Sequence, residues 1–211
     1  MDRVLMTQPV EPNETIRQYK EAVAAAPTCG STRYNYAVAL LAENNFEEAE
    51  KQLKEALKSS PTLSEAYVLL GGIYFQRNDL DKCLQYNQMA VQARVGFAEG
   101  YGNIGFVYLQ KGDIDAAIEA LNEAIAINPK FLQAYANLGN AYLMKGEVDK
   151  SIETSHKAIE MEPAFAVAHN NLAIAYLEKG DTARAVEHCD KAEKMGYEVA
   201  PALKQEIDAY R

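Results

Sequence analysis

Bulky apolar residues recur along this chain at helical spacing, and the pattern itself recurs. Tyr135, Leu138 and Tyr142 stand at i, i+3 and i+7, one face of a helix. The same face returns 34 residues earlier as Tyr101, Ile104 and Tyr108, and again as Tyr67, Leu70 and Tyr74. It returns later as His169, Leu172 and Tyr176, and at the start in weaker form as Arg33, Tyr36 and Leu40. The offset tiles the chain without a gap into units 30–63, 64–97, 98–131, 132–165 and 166–199. A fixed period of this length predicts a repeat architecture in which stacked neighbours supply the core that one unit cannot.

Each unit predicts two helices. A small residue accompanies the bulky face of the first (Ala37, Gly71, Gly105, Gly139, Ala173), so that the second can approach closely. The second helix carries small residues at one contact (Ala49, Cys83, Ala117, Ser151, Ala185) and alanines seven residues on (Ala56, Ala90, Ala124, Ala158, Ala192). Gly112, Gly146 and Gly180 sit between the two helices, with Asn44 and Asn78 in the same place in the first two units. Both residue types tolerate the left-handed backbone that ends a helix. Pro61, Pro129 and Pro163 stop the second helices.

The pattern of a bulky residue, two residues, Leu-Gly, two residues, Tyr, then Ala, then Pro resembles the tetratricopeptide repeat family. That resemblance implies an all-α fold: a right-handed α-solenoid of five 34-residue helix-turn-helix repeats plus capping helices. Residues 1–29 are expected to be an N-terminal segment with a half-repeat capping helix from about Ile16 to Pro27, and residues 1–12 are expected to be mobile. Residues 30–199 are the repeats. Residues 200–211 form a C-terminal capping helix that starts at Pro201 and lays Leu203, Ile207 and Tyr210 on the last unit.

The resemblance also implies where a ligand would lie, on the concave face lined by the first helices. The non-core positions of those helices are apolar or amidic. Asn35, Asn103, Asn137 and Asn171 are in one register and would project as a ladder. An amide offers a donor and an acceptor, which matches a peptide backbone. The alternative is that asparagine merely fills a common family position. Gly72 and Gly102 would open a hollow flanked by Phe75 and Phe106, unless they reflect only local flexibility. Asn140, Met144 and Asn170 complete the expected partner-binding set. The lysines and arginines of a clamp for chaperone C-terminal tails are absent, since those positions hold Tyr34, Val38, Glu65, Val68, Leu69, Gly72 and Glu99.

Charge and composition narrow the choice further. A net charge of −9 argues against a nucleic-acid or anionic-membrane partner. No apolar run reaches the length of a membrane span and no secretory leader opens the chain, so the expected compartment is the cytoplasm. The three cysteines lack a CxxC pair, and Cys83 and Cys189 fall at core positions. No zinc or redox centre, and no cofactor, is expected. His169 replaces a Tyr or Arg and reads as packing. His188 and Cys189 are neighbours on a helix and point about 100° apart, a poor geometry for a base and nucleophile. The function expected is therefore a non-enzymatic scaffold that binds a protein or peptide. Self-assembly of the chain or holdase activity is the alternative, and an enzyme or small-molecule sensor is the distant one.

Overall fold

In the computed structural model, residues 12–211 are described, and all of their regular structure is helical. The expectation of a mobile start falls mostly on residues 1–11, outside the described part; Pro12 already opens a helix. The described residues form two compact units, 12–95 and 96–211.

The first unit holds α1 (Pro12–Ala25), α2 (Gly30–Ala42), α3 (Phe46–Ser59), α4 (Ser64–Gln76) and α5 (Leu80–Ala93). Helices α2 and α3, and α4 and α5, pack as hairpins, and α1 leans on α2. The core between them is made of Leu40, Leu53, Leu70 and Ile73 with Ala37, Ala49 and Ala66, and Ile16, Tyr19 and Val23 of α1 cover one side. Asn44 and Asn78 each take a φ of 57°, the left-handed turn that frees the chain to reverse. One buried-side carboxylate ties the hairpins. Glu50 of α3 accepts from Tyr74 Oη of α4 at 2.6 Å and from Arg77, just past the end of α4, at 2.5 Å, and also from Lys54. Burial works to raise the Glu50 carboxyl, but these hydrogen bonds outweigh it and hold the group down to about 2.

The second unit holds α6 (Ala98–Lys111), α7 (Ile114–Ile127), α8 (Leu132–Lys145), α9 (Val148–Met161), α10 (Ala166–Glu178), α11 (Thr182–Lys194) and α12 (Pro201–Asp208). Successive pairs pack as hairpins and each stacks on the next. The second helices are capped by their own sequence: Asp79, Asp113 and Asp181 accept from the amides of Lys82, Ala116 and Arg184. Ala117, Ala124, Ala158, Ala185 and Ala192 are fully buried, so the small-residue columns do let backbones close in. A Cβ on Gly105 would lie 2.5 Å from Leu121 Cγ. In the next hairpin the equivalent of Leu121 is Ser155, and a Cβ on Gly139 would lie 3.0 Å from its hydroxyl. The oxygens of Ser151 and Ser155 are buried there without a hydrogen-bond partner.

Helix α12 closes the second unit. Ile207 is fully buried with Val199, Ala173, Cys189 and Ala192, and Leu203 packs beside it. Tyr210 departs from the expected stripe and is exposed. Arg211 takes over its anchoring role by pairing with Asp190, Glu193 and Asp208.

Candidate functional site

The first helices of both units carry an outward face. In the first unit Asn35, Val38 and Gly72 are exposed and Phe75 is half-buried. Nothing lies within 4 Å of where a Gly72 side chain would begin. In the second unit Asn140 and Met144 are exposed, one turn apart on α8, with the Asn140 amide 3.8 Å from the Met144 sulfur. Asn103, Phe106 and Asn137 are half-buried, and Asn137 accepts from Gln133 at 3.2 Å. These side chains offer amides and apolar groups with little charge.

Three expected residues sit elsewhere. Gly102 is buried, and a Cβ there would meet Phe131 Cε1 at 2.7 Å. The hollow expected at Gly102 is thus filled by the chain's own ring, from the residue that precedes α8. Asn171 is buried and donates to the Ala136 carbonyl of α8 at 2.9 Å. That amide staples adjacent hairpins and is spent before any ligand arrives. Asn170 is also buried, and its carbonyl oxygen has no partner.

The sequence reading missed one constellation. All three histidines of the chain meet in the last two hairpins. His169 Nδ1 and His188 Nδ1 are 2.9 Å apart, His169 Nε2 is 3.1 Å from the Pro163 carbonyl, and His156 Nε2 is 3.2 Å from the Tyr176 hydroxyl. Tyr176 and His169 each stack on the His188 ring. Burial, followed by the neighbouring His169, pushes His188 down to about 4, so its ring is neutral at pH 7. Since two Nδ1 atoms at that distance share one proton, one donates and the other accepts. A signal for this pairing exists. Arg33 and Gln52, hydrogen-bonded at 2.6 Å, are also 19 residues apart, so the first and last hairpins share a contact at this offset.

The thiols divide by position. Cys83 and Cys189 are buried, and burial raises both. Cys29, at the start of α2, is held down to about 7 by hydrogen bonds from Ser31 and Thr32. No group of three or more metal-binding side chains assembles among the described residues. No helix among them is long and apolar enough to cross a membrane.

Comparison with known proteins gives a consistent set. Models of the tetratricopeptide repeat match residues 11–62 and 166–195, and a TPR repeat model matches 105–146 and 139–180. Among solved structures, MamA is 30% identical, with 76% of this chain and 94% of that one aligned at a TM-score of 0.67. YrrB, described as a TPR protein with an unusual peptide-binding site, is 20% identical over 92% of this chain and 99% of its own, at a TM-score of 0.71. PilF of Pseudomonas aeruginosa has the same fold at 15% identity, with 94% and 91% covered and a TM-score of 0.78. Among curated proteins there is no match.

Proposed function

The chain belongs to the tetratricopeptide repeat family, a family of protein-interaction modules, and from that premise we propose that it is a non-catalytic scaffold holding a peptide or protein segment against its first-helix faces. The observation that carries the reading is the pairing of exposed amide and apolar side chains on those faces, Asn35 with Val38 and Asn140 with Met144. An apolar side chain of 53% exposure, such as Met144, adapts to a partner's shape at little cost. The amides beside it suit a peptide backbone, at about 0.5–1.5 kcal/mol for each hydrogen bond made. The second-helix faces differ. They are lined with charged residues such as Glu153 and Lys157, which pair with each other at 2.7 Å. That the same fold carries a peptide-binding site in YrrB supports the reading.

The test is site-specific photo-crosslinking in the native host. A photoreactive residue at position 144 should capture a partner protein in much higher yield than one at position 157, exposed on α9. Equal yields at the two positions would refute the first-helix face as the site. The double variant Asn140→Asp with Met144→Glu should fold with unchanged helicity and lose the captured band.

A further inference from the structure

The outward face of α10 does not end in open solvent. It meets α12, and an open cleft of about 380 Å3 lies between the two helices. Its floor is Ile174, Leu177 and Leu203, all half-buried, with two alanines of α12 and its approach. Its walls are Glu178 and Glu206, both exposed.

These two carboxylates face the apolar floor without a cation beside them. Several cations of this end of the chain are engaged elsewhere: Lys179 with Asp149 at 2.5 Å, Lys204 with Glu193 at 2.5 Å, and Arg211 with Asp190. Lys191 pairs with Glu187, and Arg184 with Asp181. Glu178 and Glu206 have no ion pair among the described residues. An apolar floor between two uncompensated carboxylates calls for an apolar side chain with a cation on one or both sides. The volume is that of a small-ligand pocket, enough for one large aliphatic or aromatic side chain with its backbone.

We propose that this cleft is the anchoring pocket for a peptide segment in which one large apolar residue is flanked by lysine or arginine. The inference rests on the reading that first-helix faces receive a peptide, and it names the chemistry of that peptide at the C-terminal end. The apolar side chain enters over Ile174 and Leu203 while the flanking cations reach Glu178 and Glu206. Association at this end is salt-sensitive, in contrast to the uncharged face of α8.

The experiment uses the full chain with methyl-labelled leucine, isoleucine and methionine, titrated with short capped peptides and followed by NMR. The probe contains Ser-Arg-Leu-Lys-Ser. Two controls are Ser-Glu-Leu-Asp-Ser, with the charges reversed, and Ser-Arg-Ser-Lys-Ser, without the apolar residue. The expected result is saturable shifts at the Ile174, Leu177 and Leu203 methyls with the first peptide and at none of the three with the controls. Glu178→Gln and Glu206→Gln, both surface changes, should each weaken binding about threefold to fivefold. Equal binding of all three peptides, or no effect of either glutamine variant, overturns the proposal. So do shifts confined to Met144 and the α8 face, although the wider reading then stands. If the charged peptide moves no methyl but the crosslink at position 144 succeeds, the cleft is not a site. Concentration-dependent shifts without peptide would identify a second copy of the chain as the occupant and also overturn it.

Discussion

Three glycines of the first helices set up a graded test of what close approach is worth. Any helical Gly→Ala change gains about 1 kcal/mol of intrinsic propensity. At Gly72 nothing stands within 4 Å of the new methyl, so that gain should be realised in full. At Gly105 the methyl would lie 2.5 Å from Leu121 Cγ, 2.8 Å from its Cδ2 and 3.2 Å from the Ala117 carbonyl. Leu121 is fully buried and cannot swing away, and a backbone oxygen cannot yield. Overpacking of this kind costs about 1–3 kcal/mol, which cancels or exceeds the propensity gain. At Gly102 the obstacle is the far edge of Phe131, a half-buried ring that can rotate, so Gly102→Ala should be near neutral. Gly102→Leu should destabilise by ejecting that ring, although propensity alone favours leucine. The assay is thermal unfolding by circular dichroism, where a chain of this length moves by about 2–4 °C per kcal/mol. Gly72→Ala should melt higher than the parent and Gly105→Ala lower. If Gly105→Ala melts as high as Gly72→Ala, the close-packing account of the glycine column is wrong.

Two further outcomes follow from titrating groups. His188 is held near 4 against an ordinary value of 6.5, so above pH 6.5 both folded and unfolded chains carry it neutral and it contributes nothing to the pH dependence. As pH falls from 6.5 toward 4 the unfolded chain takes the proton and the folded one refuses it. Stability is therefore lost across that window, by up to about 3 kcal/mol, and the loss levels off below it. Urea midpoints at pH 7 and pH 5 should differ in the parent and converge in His188→Phe; an unchanged gap in the variant would locate the dependence in other groups. Carboxylates such as Glu50, held near 2 against an ordinary 4.5, lose their contribution mainly below pH 5, beneath the span between the two midpoints. Among the thiols, Cys29 should react with iodoacetamide at pH 7 well before Cys83 and Cys189, as read by peptide mass spectrometry; uniform labelling of the folded chain would contradict the burial of the other two.

The helices were legible because their signals are local and repeat. Asn44 and Asn78 take the left-handed turn that the spacing assigned to them, and Asp113 caps the helix it precedes. Ile207 was placed on the core by periodicity within its own helix, and is buried there. What could not be read from one helix was which way each outward position faces once a neighbour docks. Asn137 and Asn171 share a register, yet one accepts from Gln133 in its own helix and the other is drawn under Ala136 in the helix before it. Gly102 is filled by a ring 29 positions along the chain and so looks like open space in sequence. The histidine cluster joins three helices, and only the offset shared with Arg33 and Gln52 hints at it.

The hydroxyl layer around Gly139 has a mechanical meaning. Where the preceding hairpin wedges Leu121 into its glycine, this one presents Ser155 and Ser151, whose buried oxygens bond to nothing, with the Asn170 carbonyl likewise unmet in the adjoining helix. Each such atom forfeits roughly 1–3 kcal/mol relative to a satisfied one. A repeat array is a series of nearest-neighbour couplings, and it parts at the softest. The amides of α9, which carries both serines, should therefore exchange with solvent sooner than those of α7, while the Asn171 bond to the Ala136 carbonyl holds α10 to α8.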